Sequence, residues 1–128
     1  MTRNFGCNIK IALLQISPCK TAEENLEKGI QYCKKARESG ADIALFPEMW
    51  SNGYRIYGRP VEEWKREAVS VNGDFVTGFG CLAKDLNMAI GVTLLEKYGS
   101  APVIRWFFLT DLENKNLFMP KYIPAILM

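Results

Sequence analysis

The segment Phe46-Pro47-Glu48 sets a carboxylate directly after a short apolar run and a proline. Ala41 to Phe46 reads as a buried strand that Pro47 halts. Glu48 then falls beyond the strand's carboxyl end, where open α/β sheets gather ligands. Phe46, Met49, Trp50 and Tyr54 flank it, and a carboxylate partly desolvated by such neighbours can act as a general base near neutral pH. The position equally suits a solvent-facing glutamate that caps a turn, the commoner use of a loop glutamate. Trp50 and Tyr54 are candidates to line a substrate pocket, although aromatics beside a strand end more often simply pack.

The 128 residues contain no histidine, which excludes Ser-His and Cys-His catalysis within the chain and removes the commonest metal ligand. Cys7, Cys19, Cys33 and Cys81 form no C-x-x-C pair and read as reduced thiols, with Cys81 a buried core thiol of a helix. No metal site and no cofactor are expected. Sixteen basic and 14 acidic residues are interspersed, giving a net charge of +2 and no basic arm, so nucleic acid is not an expected partner. No apolar run is long enough to span a membrane and no signal peptide is read at the N-terminus, making the cytoplasm the expected location.

The elements around Glu48 follow from periodicity. Asn8 to Ser17 is apolar on both alternating positions, as in a strand buried on both faces, and Pro18 ends it. Thr21-Ala22-Glu23-Glu24 is a capping-box signature that opens a helix with Leu26, Ile30, Cys33 and Arg37 at helical spacing, closed at Gly40. A second helix starts near Pro60 or Val61 and ends before Asn72-Gly73. Asp74 could cap a third, whose apolar stripe is Phe75, Phe79, Leu82, Ala83 and Leu86. Met88 to Leu95 reads as another buried strand, with Glu96 a solvated residue at its end. Strand, helix, strand, helices, strand gives crossover units and hence a parallel sheet covered by helices.

Gly40-Ala41-Asp42-Ile43-Ala44-Leu45-Phe46-Pro47-Glu48, followed by Gly53-Tyr54, resembles the glutamate motif of the carbon–nitrogen hydrolases, the nitrilase and amidase superfamily. The setting is similar too: Ile11-Ala12-Leu13-Leu14-Gln15 as a first strand, a capped helix with Asn25-Leu26, then Leu82-Ala83-Lys84 to Gly91-Val92. The resemblance spans residues 8–98. It implies the N-terminal part of an αββα sandwich, a small amide or nitrile substrate, no cofactor and a homo-oligomeric family. Glu48 would be the base, a lysine would support the tetrahedral intermediate and a cysteine would attack the carbon. The family's cysteine lies after a later strand, so this chain is expected to carry the base without the nucleophile and to be inactive alone. A second reading is a small α/β ligand-binding module, but Gln15-Ile16-Ser17-Pro18 occupies the turn where a phosphate-binding glycine loop would stand.

Pro102 to Met128 departs from the family's strand, polar turn and strand leading to its lysine. If Val103 to Leu109 is written GTA ATA CGG TGG TTC TTT TTG after a C, the neighbouring frame reads R-N-T-V-V-L-F. Thr110 to Lys115 can give R-S-G-E-Q-K, and Met119 to Met128 can hide Y-A-K-V-H-T-C-D-F-D, which resembles the lysine segment. The expectation is a one-nucleotide frame change near Ser100 to Pro102, dividing the chain into a partial domain, residues 1–101, and an out-of-frame tail, residues 102–128. Trp106, Phe107 and Phe108 would then pack without matched partners, as would Ile123, Ile126 and Leu127, and the tail could be removed without cost. Lys121 would not be the catalytic lysine. In the alternative, Ile104 to Leu109 is a genuine strand and Lys121 is the family lysine.

Overall fold

The computed structural model describes residues 8–55 and 57–110, and the backbone of residues 117–124. The elements run β1 (Ile11–Leu13), α1 (Ala22–Glu38), β2 (Ile43–Leu45), α2 (Val61–Glu67), α3 (Asp74–Leu86), β3 (Ala89–Glu96), β4 (Val103–Leu109) and β5 (Leu117–Pro124). They build one five-stranded sheet in the order β1-β2-β3-β4-β5. The first three strands are parallel, joined by helical crossovers, with Leu13 beside Leu45 and Leu45 beside Gly91. β4 and β5 continue the sheet antiparallel. The mixed α/β architecture is the one expected for the N-terminal part of a nitrilase-type sandwich.

Local chemistry sets the helix ends. The Glu24 amide donates to Thr21 Oγ1 at 3.1 Å, the capping box read from the sequence. Ser39 is the C-cap of α1 and Gly40 follows at φ +87°, a conformation that favours glycine. Asp74 is the first residue of α3 rather than its cap, a one-residue difference typical of helix ends.

The α1 stripe facing the core is Asn25, Gly29, Cys33 and Ala36, rotated by about one residue from the expected Leu26-Ile30-Cys33-Arg37. Gly29 explains the rotation: a Cβ there would lie 2.6 Å from Phe79 Cζ, so the bare backbone is what lets α1 close onto α3. The α3 stripe of Phe75, Phe79, Leu82 and Ala83 is buried as expected, joined by Val76. Cys81 is exposed, correcting the expectation of a core thiol, because it falls off that stripe. Cys33 is fully buried and Cys19 partly so; Cys7 lies outside the described residues.

Both helices cover the sheet face that carries Ala44, Phe46, Ile90, Val92 and Leu94. β1 is not buried on both faces: Ile9, Ile11 and Leu13 are 63%, 50% and 66% exposed. They alternate with Ala12, Leu14 and Ile16, which pack on the core, so only one face of this edge strand is covered.

Residues 103–109 differ from the expectation of unmatched packing. They pair with all of β3 from Ile90 to Glu96, and Val103, Ile104, Phe107 and Leu109 are buried. The physical reason is that β3, apolar on both faces, offers a free edge on which any apolar β-prone segment can form a ladder. Glu96 is only 5% exposed and is ion-paired with Arg105, not solvated as expected. Pro120 and Pro124 fall in the outer strand β5, where a missing donor is tolerated. The side chains of β5, Lys121 and Ile123 included, lie outside the described residues, as do Ile126 and Leu127.

Candidate functional site around Glu48

β2 ends at Leu45, and the chain then turns across the carboxyl end of β3. The Phe46 amide donates to the Gly91 carbonyl at 2.9 Å, and the Trp50 amide to the Thr93 carbonyl at 3.0 Å. Thr93 does most to hold the turn. Its buried hydroxyl accepts from the Met49 amide at 2.6 Å and donates to the Pro47 carbonyl at 3.4 Å, bracketing Glu48 from both sides. Two residues on, Ser51 Oγ accepts from the Leu95 amide at 3.1 Å. Side-chain oxygens thus continue the β2–β3 pairing through a loop that is no longer a strand.

Asn25 ties the loop to α1. Its Nδ2 donates to the Ser51 carbonyl at 3.2 Å, its Oδ1 accepts from the Cys19 amide, and its carbonyl accepts from Trp50 Nε1 at 3.0 Å. The Trp50 ring lies 5.2 Å from that of Phe46 and is 1% exposed. Gly53, at φ +64°, packs so closely on Pro18 that a Cβ would stand 2.2 Å from its Cγ. Asn52 is buried, and neither polar atom of its side chain has a hydrogen-bond partner among the described residues.

Glu48 itself is exposed. Phe46, Met49 and Trp50, expected to desolvate it, point into the interior, at 4%, 0% and 1% exposure, and leave the carboxylate at the surface. Of the flanking aromatics, Tyr54 is the one whose phenol lies near enough to feel that carboxylate. Burial first, and then the neighbouring Glu48, push the Tyr54 phenol up to about 12. Tyr54 packs against Met49, Trp64, Ala68, Leu95 and Ile104. An open apolar cleft of about 520 Å³, lined by Leu13, Gln15, Leu45 and Pro47 among others, lies at the carboxyl ends of β1 and β2.

Sequence reasoning placed Glu48, Trp50 and Tyr54 in one loop, and the structure leaves Glu48 exposed and Tyr54 half-buried while sinking Trp50 into the core. It missed Asn25, Ser51 and Thr93. The available signals were a polar residue on the buried stripe of α1 and a lone hydroxyl inside the apolar run of β3. Among the described residues no three His, Cys, Asp or Glu side chains are grouped to hold a metal, and no helix is long and apolar enough to cross a membrane.

The family model described as carbon–nitrogen hydrolase matches residues 10–122. Among solved structures, a double mutant of the amidase from Nesterenkonia sp. AN1 in complex with acrylamide is similar at a TM-score of 0.66. It shares 20% identity, over 87% of this chain and 42% of that one. The CN-hydrolase superfamily protein XC1258 from Xanthomonas campestris, which carries an arsenic adduct in its active site, gives 0.63 and 20%, over 80% and 37% of the two chains. At these identities the likeness is one of fold. No individual curated protein matches the sequence. The chain therefore spans about two fifths of the length of the structures it matches.

Proposed function

The chain belongs to the carbon–nitrogen hydrolase family, and we propose that within it Glu48 is the general base of a hydrolase cleaving the carbon–nitrogen bond of a small amide or nitrile. The observation that carries this reading is the position of Glu48: exposed at the carboxyl end of a central parallel strand, in a turn bracketed by both bonds of the Thr93 hydroxyl. A base so placed takes the proton of an attacking thiol and later that of water, while a lysine steadies the tetrahedral intermediate. Trp50, buried under the turn, serves the substrate site by fixing where the loop lies, and Tyr54 stands beside the carboxylate.

On this reading neither Lys121 nor any of the four cysteines serves as the family lysine or nucleophile, and these 128 residues by themselves turn over no substrate. Assaying ammonia release with and without Glu48→Ala tests both statements. The tail proposal, residues 102–128 encoded out of frame after a partial domain 1–101, is supported by the lysine-like string in the neighbouring frame. Favouring an in-frame tail are the pairing of β4 with β3 and a family match that runs on to residue 122. The nucleotide sequence decides: a cysteine-bearing hydrolase half continuing in the adjacent frame supports the frame change, and codons that cannot encode R-N-T-V-V-L-F overturn it.

A further inference from the structure

We propose that the apolar cleft at the carboxyl ends of β1 and β2 receives the acyl chain of the substrate, which makes the substrate class uncharged aliphatic amides and nitriles. This rests on the reading of Glu48 as the base. The cleft has a volume of about 520 Å³, within the roughly 300–1,000 Å³ in which small organic ligands sit. Leu13 and Leu45, side by side in the β1–β2 ladder, form part of its lining. Pro47 forms another part. The next residue along the chain is Glu48, its Cα about 3.8 Å from that of Pro47. A substrate chain lying in the cleft can therefore present its amide end at the base.

The lining decides which chain fits. None of its eight residues is ionisable. The backbone beneath them is already engaged: the Leu14 amide donates to the Leu45 carbonyl and the Phe46 amide to the Gly91 carbonyl, each at 2.9 Å. Lys28 is engaged as well, its Nζ donating to the Ser17 carbonyl at 2.7 Å. A carboxylate or ammonium group on the acyl chain would lose water here and meet no opposite charge in the lining. Methylenes would instead cover Leu13, which stands 66% exposed. Gln15 and Ser17 supply the side-chain polar groups of the lining, both exposed, enough to orient one amide but not to neutralise a charge.

The test titrates straight-chain amides into the full 128-residue chain carrying methyl-labelled leucine and follows the methyl resonances by NMR. The Leu13 and Leu45 methyls should shift saturably with hexanamide. From propanamide to hexanamide, affinity should rise about two- to fourfold per added methylene, the gain from burying one CH₂ in part or in full. Adipamate, the same length but with a carboxylate at its far end, should bind at least about tenfold more weakly than hexanamide. Leu13→Glu, at a position already exposed, should weaken hexanamide by a similar factor while circular dichroism stays native. Affinity that is independent of chain length, or equal for hexanamide and adipamate, overturns the proposal. So do leucine shifts that follow protein concentration rather than amide, which would assign the cleft to a second copy of the chain. Such a failure would leave the base role of Glu48 standing, because that is read from turnover and the cleft from binding.

Discussion

Glu48 is a small target for selection to hold in place, and the residues that hold it are specific enough to break singly. Gly53→Ala puts a methyl into Pro18 at a backbone angle that alanine avoids. It should destabilise the fold by roughly 2 kcal/mol, read as a lower midpoint in urea unfolding; a neutral result would mean that the loop is not packed as described. The thiols provide a second check. Burial pushes the Cys33 thiol from 9.0 up to about 12. Its stabilising contribution is therefore complete below pH 9 and lost between pH 9 and 12, where the unfolded thiol releases a proton and the folded one keeps it. Thermal midpoints over that range should fall more steeply in the parent protein than in Cys33→Ala. In the native state a maleimide should modify exposed Cys81 quickly and Cys33 only after unfolding.

At the scale of elements, the parallel β1-β2-β3 core with its two crossovers was legible, because continuous apolar runs and capping residues are local signals. The facing of β1 was not. Asn8 to Ser17 is apolar on both sides, and only the neighbours of a strand decide which side is covered. The hold on the Glu48 turn was hidden for a related reason: Thr93 reads as a strand residue, and nothing local shows that its hydroxyl meets Met49 and Pro47, which lie more than 40 positions away. Thr93→Val keeps the shape and removes that hydroxyl, so it should cost about 1–3 kcal/mol. It should also speed hydrogen exchange at the Met49 amide well beyond that of Ile90. Equal acceleration at both would point to global loosening instead. Glu96 was misread because its partner, Arg105, lies across a hairpin in a segment not expected to pair. Arg105→Met would strand a buried carboxylate and should cost about 3 kcal/mol, whereas Glu96→Gln with Arg105→Met should recover part of that loss.

At the scale of the molecule, α1 and α3 cover one face of the sheet, Trp64 of α2 packs on Leu95 and Ile104 of the other, and at the β1 edge that second face leaves three aliphatic side chains exposed. The chain should accordingly be marginally stable and prone to associate. β4 covers the second edge of β3, so a chain ended after Ser100 should lose cooperative unfolding, whatever the reading frame from which its tail arose. A truncated protein with an unchanged thermal transition would show that the β3–β4 ladder contributes nothing. The proposed role of Glu48 is that of the base of a carbon–nitrogen hydrolase whose nucleophile is none of the four cysteines here. Ammonia release from small aliphatic amides and nitriles by the purified 128-residue chain tests it most directly. None above the buffer blank is expected; release that Glu48→Ala abolishes would contradict that role assignment, by showing that the chain holds a working nucleophile of its own.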